Sequence, residues 1–181
     1  MGLTASQIRQ DLNCFGGFGQ QGYGYNVEML EAEIGNILGT GMVYPAVIIG
    51  AGNIGRAIAI NMDFENMGFK LIGIFDTSPD VVGTFIRDIM VLNISNLEVF
   101  CTINKPKIAV ITVPREATPV IAEQLIRLGV TGFWNFTHYD FSNKYKDIAI
   151  ENVHLGDSLM TLCYKIKNMP EKPTIDEMLV K

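Results

Sequence analysis

The sequence predicts an α/β protein, a parallel sheet covered by helices on both faces, and three observations carry that prediction. Apolar runs recur at 45–50, 69–75, 89–92, 108–113, 132–136 and 148–152. Strands this continuously apolar belong to parallel sheets, whose two faces are both buried. Segments of helical periodicity at 54–66, 95–104 and 116–128 lie between them, and strand–helix alternation is the pattern of βαβ units. Between the first strand and the first of these helices stands Gly50-Ala51-Gly52-Asn53-Ile54-Gly55, a three-glycine turn of the kind that opens a Rossmann-type sheet.

Ahead of the sheet the chain is different. Residues 1–25 hold six glycines and only two charged side chains, Arg9 and Asp11. Thr4-Ala-Ser-Gln7 is a capping box, which predicts a helix from Thr4 to Phe15. Ala5, Ile8, Leu12 and Phe15 fall on one face of it, and Ser6, Arg9, Gln10 and Asn13 on the other. After Gly16-Gly17, the stretch Phe18–Tyr25 is punctuated by glycines and predicts a hairpin. Asn26 then caps a helix over Val27–Leu38, ended by Gly39, and Thr40–Tyr44 bridges to the first strand. At the far end, a helix over about 155–167 carries Leu155, Leu159, Leu162, Cys163 and Ile166 along one side, widened by Met160 and Tyr164. Residues 170–181, with Pro170 and Pro173, read as a loosely held tail.

The glycine turn is also the strongest chemical signal. Its first glycine permits a tight turn, the second lets backbone approach a pyrophosphate, and the third packs helix on strand. The helix that follows offers unpaired N–H groups and a positive dipole end. The next strand, Lys70–Phe75, ends at Asp76, 21 residues beyond Gly55. An acid there accepts hydrogen bonds from an adenosine ribose and repels a 2′-phosphate, which favours NAD(H) over NADP(H). Gly50, Ala51, Gly52, Asn53, Ile54, Gly55 and Asp76 are therefore candidate cofactor-binding residues. The plain alternative is a glycine turn with a purely structural role.

Composition narrows the function. The chain has 181 residues, 48% of them hydrophobic and 18% charged, with a net charge of −5. That balance argues against a generally basic nucleic-acid binder and leaves room for a local DNA-reading element. Cys14, Cys101 and Cys163 are far apart, form no CxxC, and have no ligand-like spacing to His138 or His154. No metal site is expected, and reduced thiols point to the cytoplasm. No apolar stretch approaches the ~18 residues of a membrane span, and the chain's start lacks a secretory apolar region. Met1-Gly2 with Ser6 matches a myristoylation pattern, but the capping box is the better use of those residues. Catalytic groups are scarce. His138 and Tyr139 follow the fifth strand, yet a loop histidine beside an aromatic explains them, and Tyr139 with Lys144 has the wrong spacing for a Tyr-x-x-x-Lys pair. A cofactor fold with no catalytic residue suggests a sensor and not an enzyme.

With both parts read together, the sequence resembles the Rex family of bacterial redox-sensing transcriptional repressors. The resemblance spans about residues 2–167. It rests on Gln7-Ile-Arg-Gln-Asp-Leu12, Phe15-Gly-Gly-Phe-Gly19, Gly22-Tyr-Gly-Tyr-Asn-Val27, Gly50–Gly55, Gly68-Phe69, Phe75-Asp76, Thr112-Val-Pro-Arg-Glu-Ala117, Asn135-Phe136 and Glu151-Asn-Val153. It implies a homodimer that binds operator DNA when NADH is scarce and releases it when NADH binds, with NADH and NAD+ as the cofactors. It also implies a division into a partial N-terminal winged helix (1–40), a Rossmann NAD(H)-binding domain (41–153), a C-terminal helix swapped onto the partner (154–169) and a tail (170–181). Thr112, Val113, Pro114 and Asn135 join the implied cofactor site. Thr4–Phe15 becomes the recognition helix, with Ser6, Gln7, Arg9 and Gln10 toward DNA, and Phe18–Tyr25 becomes the wing, with Gln21 and Tyr23 at the DNA. Three departures accompany the match. The chain starts at the turn of the implied helix-turn-helix, so operator binding by this polypeptide is expected to be weak or lost. Gln20-Gln21 stand where relatives carry a basic residue, and His154 stands where the family has an acid. Two other readings compete: a small NAD-dependent oxidoreductase or accessory protein without DNA binding, and a CoA-binding domain, whose 3′-phosphate Asp76 would repel.

Overall fold

The computed structural model describes residues 4–13, 19–20, 24–38, 42–140, 144–145 and 147–169. Helix α1 spans Ala5–Asn13 and α2 spans Val27–Leu38, with a short antiparallel pair, β1 (Gly19–Gln20) and β2 (Gly24–Tyr25), between them. The caps read from sequence are in place. The Thr4 Oγ1 accepts from the Gln7 N–H at 3.3 Å while the Gln7 side-chain oxygen accepts from the Thr4 N–H at 3.0 Å, and Asn26 accepts from the Met29 N–H at 3.0 Å.

The main sheet follows. Its strands are β3 (Tyr44–Ile49), β4 (Phe69–Asp76), β5 (Phe85–Ile86), β6 (Ile89–Asn93), β7 (Ile108–Ile111), β8 (Gly132–Asn135) and β9 (Ala149–Asn152). They lie in the order β5-β6-β4-β3-β7-β8-β9, parallel except for the β5–β6 hairpin. Pro45 lacks a ladder N–H, and it stands near the start of β3, just ahead of the pairing with β7 that begins at Ala46.

Side chains alternate across the sheet, so each strand feeds two cores. On one face Val47, Ile49, Phe75, Ala109 and Ile111 pack with Leu97 and Cys101 of α4 (Leu97–Asn104) and Ala122 and Leu125 of α5 (Thr118–Arg127). On the other, Ile48, Ile74, Val91 and Val110 pack with Ile58 and Ala59 of α3 (Asn53–Asn61) and with Phe64. The last helix, α6 (Leu155–Lys167), buries no residue in the chain itself.

Two elements differ from the sequence reading. Helix α3 stops at Asn61, where the pattern predicted 66, because Met62 turns extended and the Asp63 carboxylate accepts from the Asn66 side-chain amide, inside a 3₁₀ turn over Glu65–Met67. The hairpin strand β5 was not predicted: its turn has no glycine, and Arg87 itself takes φ +53°. The Arg87 guanidinium donates to the Ile60 carbonyl near the end of α3, which ties the hairpin to that helix. Otherwise the predicted strands and helices stand within a few residues of their expected ends.

Candidate functional site

Sheet order decides where a ligand can sit. The chain leaves β3 toward β4 on one side, while β7 flanks β3 on the other. Loops leaving β3 and β7 therefore diverge to opposite faces and open a crevice at their carboxyl ends. A cleft of about 400 Å³ lies there, lined by Gly50, Gly52, Asp76, Thr112, Val113 and Pro114 among others. A second groove, of about 450 Å³ and largely apolar, includes Ala46, Ile108, Gly132 and Ala149, at or near the amino ends of four strands. It sits at the wrong end of the sheet for a nucleotide, so the smaller cleft is the candidate site.

The three glycines meet three different demands. Gly50 has φ +99°, and a Cβ there would stand 2.8 Å from the Thr112 carbonyl oxygen. At Gly52 a Cβ would meet nothing within 4 Å, so that position borders open space beside the cleft. At Gly55 a Cβ would fall 1.9 Å from the Gly50 carbonyl oxygen. Tight turn, open approach and close helix contact are the requirements of a pyrophosphate loop. Gly52 is also the N-cap of α3, and no side chain caps that end. The first-turn N–H groups of Asn53, Ile54 and Gly55 lack intrahelical acceptors, and with the helix dipole they form an anion site.

Two side chains brace this loop. Asp76, at the end of β4, accepts from the Ala51 N–H at 2.6 Å through one carboxylate oxygen. Its other oxygen accepts from the N–H groups of Thr77 at 2.7 Å and Ser78 at 2.8 Å. The Thr112 hydroxyl, just past β7, lies 2.8 Å from the Gly50 carbonyl oxygen and 3.0 Å from that of Ile49.

Most cofactor residues expected from sequence are thus brought to one crevice. Asn135, also expected at the cofactor, ends β8 and is held by partners of its own. Its buried side-chain amide donates to the Tyr139 carbonyl at 2.9 Å and the Asn152 side chain at 2.7 Å, and accepts from the N–H and hydroxyl of Thr137 at 3.1 and 2.8 Å. Those four bonds use the amide fully. Asn135 joins β8 to β9 and fixes the following turn, and it does not line the cleft. His138 and His154, which sequence spacing left without partners, stack with ring centroids 6.0 Å apart and planes 2° from parallel. Thr77, Ile94, Ala117 and Ile121 also line the cleft. Thr77 was legible as the neighbour of Asp76, whereas Ile94 and Ile121 arrive from elements whose approach only the fold determines.

Activated nucleophiles and metal clusters are missing among the described residues. Cys101 is buried, which pushes its thiol up to about 11, the opposite of a reactive cysteine. Glu123 is held below the usual carboxylate range by its ion pair with Lys144, a surface contact that ties the 144–145 segment to α5. Among the described residues no group of three His, Cys, Asp or Glu could hold a metal, and no helix is long and apolar enough to cross a membrane. At the amino end, Ser6, Gln7 and Gln10 are exposed on α1, although the Gln7 side-chain oxygen is engaged by Thr4. Gln21 and Tyr23, and the side chain of Arg9, lie outside the described residues.

Comparison with known proteins agrees with this geometry. Residues 43–139 match the family model described as CoA binding domain. The chain is 52% identical over 168 residues to the redox-sensing transcriptional repressor Rex of Clostridium perfringens (strain SM101 / Type A), covering 93% of this chain and 79% of that protein. It is 49% identical over 166 residues to Rex of Thermoanaerobacter sp. (strain X514), covering 92% and 74%. Among solved structures it is similar to RSP in complex with β-NAD+ and operator DNA, at TM-score 0.83 and 48% identity over 92% of this chain and 76% of that one. RSP in complex with β-NADH gives 0.79 and 44% over 92% and 77%. These relatives are repressors and not enzymes. Matched at 52% and 49% identity over 93% and 92% of its length, the chain belongs to the Rex family of redox-sensing transcriptional repressors.

Proposed function

We propose that this protein is a transcriptional repressor that senses the NADH/NAD+ ratio, holding operator DNA when NADH is low and releasing it when NADH binds. The observation that carries the reading is the glycine loop, whose three positions separately satisfy the turn, approach and packing demands of a pyrophosphate. Gly50–Gly55, Thr112, Val113 and Pro114 would hold the dinucleotide, with the free N–H groups of α3 at its phosphates and Asp76 at the adenosine ribose. NAD+ and NADH occupy crystals of RSP, which supports the same pair of ligands here. Asp76 disfavours CoA and NADPH, since either phosphate at the ribose would meet its negative charge.

The finer assignments belong to the same proposal. Residues 1–40 would form the winged-helix part, 41–153 the dinucleotide domain, 154–169 a helix exchanged between two copies in a cytoplasmic homodimer, and 170–181 a tail. The exposed apolar stripe of α6 and the apolar groove near the amino ends of β3, β7, β8 and β9 support a second copy. Helix α1 would enter the major groove with Ser6, Gln7, Arg9 and Gln10, and Gln21 and Tyr23 would act from the wing. Operator DNA would be held weakly, because residues 1–25 bring a single arginine offset by a single aspartate, and phosphate neutralisation supplies most of the non-specific affinity.

The test is titration calorimetry with NADH, NAD+, NADPH and CoA, followed by electrophoretic mobility shift on operator DNA at low salt. Binding of NADH in preference to NADPH and CoA, and loss of the shifted band on adding NADH, is the expected result. Preferential binding of CoA, or no binding of NADH, would sink the reading.

A further inference from the structure

A single peptide unit at the tip of β3, the one joining Gly50 to Ala51, is held from both sides. Its carbonyl oxygen lies 2.8 Å from the Thr112 hydroxyl and its N–H donates to Asp76 at 2.6 Å. Thr112 stands just past β7 and Asp76 ends β4, the two strands that flank β3. The plane of this peptide is therefore set by both neighbours of the central strand.

We propose that Asp76 and Thr112 are positioning residues that clamp the Gly50–Ala51 peptide and so aim the glycine loop at the phosphates; this rests on the nucleotide reading above. Two consequences are specific. The Ala51 amide is engaged by Asp76 and is not a phosphate donor, which leaves that task to the amides of Gly52 and the first turn of α3, where no side chain caps the end. Asp76 acts on binding even where a ligand offers no ribose 2′-hydroxyl. Its three backbone partners, Ala51, Thr77 and Ser78, are fixed in the protein, whereas a ribose hydroxyl would be one more donor to the same carboxylate. The clamp also explains the crowding at Gly50 and Gly55. Fixing the Gly50 carbonyl against the Thr112 hydroxyl turns it into the space a Gly55 Cβ would need, at 1.9 Å.

The test compares wild type with Thr112→Val, Thr112→Ser and Asp76→Ala by calorimetry, using NADH and NADH lacking the adenosine 2′-hydroxyl. Amide exchange of Ala51 is measured by NMR without ligand. Thr112→Val should weaken NADH binding roughly tenfold, the scale of one lost hydrogen bond. Thr112→Ser, which keeps the hydroxyl, should restore it. Asp76→Ala should weaken the 2′-deoxy analogue as well as NADH, and should quicken Ala51 exchange. Unchanged affinity in Thr112→Val, or an Asp76→Ala loss confined to the ligand with the 2′-hydroxyl, overturns the clamp. If wild type binds no NADH at all, the nucleotide reading fails, and Ala51 exchange in the ligand-free Asp76→Ala protein still decides whether the clamp exists. Melting temperatures of the variants close to wild type separate misfolding from a moved loop.

Discussion

Gly52 and Gly55 sit three residues apart in one loop, and the structure predicts opposite failures for them. A side chain at Gly52 meets no protein atom within 4 Å, so Gly52→Val should fold with a near-normal melting temperature and lose NADH binding, because the new methyls occupy the approach to the pyrophosphate. A Cβ at Gly55 would fall 1.9 Å from backbone. Gly55→Ala should therefore cost stability, about 1–3 kcal/mol as an overpacked contact, which thermal melts will read directly. Undiminished NADH affinity in Gly52→Val would remove the assignment of the loop. Asp76→Ala should also narrow the gap between NADH and NADPH, since the charge that repels a 2′-phosphate is gone; calorimetry with both ligands checks this. Cys101 makes a further residue-level test. Buried and with its thiol pushed up to about 11, it should resist iodoacetamide at pH 8 in the native protein and react only after denaturation, as peptide mass spectrometry would show.

At the scale of elements, α6 bears the sharpest prediction. Leu155, Leu159 and Ile166 are 64%, 61% and 58% exposed in the single chain, an apolar face without an internal partner. Leu159→Asp should leave the sheet folded but convert a dimer to a monomer by light scattering; a monomeric wild type at tens of micromolar would instead dismiss the exchanged-helix proposal. The parallel strands and their helices were legible in the sequence because burial on both faces removes polar residues from Val47–Ile49 and Ala109–Ile111. The loop and its acid were legible because glycine at fixed offsets leaves few other uses. What was not legible depends on contacts distant in sequence. The early end of α3 and the short β5 follow from Asp63 and Arg87 taking local conformations that periodicity does not register. Asn135 has the chemistry of a ligand contact, and only the packing of β8 beside β9 shows that its amide is already saturated. The bond from Asp76 to Ala51 spans 25 residues and that from Thr112 to Gly50 spans 62, separations at which a sequence gives no pairing.

For the whole molecule, ligand binding and folding are linked. A ligand that binds only the native state stabilises it by about 2.7 kcal/mol at a hundredfold excess over Kd, roughly 5–10 °C for a chain of this size. NADH at that excess should raise the melting temperature accordingly, and NADPH should raise it less. A concentration-dependent melting temperature without ligand is expected as well, if two copies share α6. Both are read in one set of calorimetric scans at several protein concentrations.

The stacked imidazoles of His138 and His154 also give the molecule a built-in spectroscopic reporter. The chain has only two histidines, and their rings lie with parallel planes at the junction between the turn after β8 and the N-cap of α6. Their ring protons resonate in a sparsely populated part of the proton spectrum, and the ring-current shift each takes from the other depends on the distance and tilt between the two rings. Any movement of α6 relative to the sheet, whether on pairing with a second copy or on filling of the cleft, would shift both signals together. Replacing either histidine would assign the remaining one, so the position of the terminal helix can be followed in solution without a label.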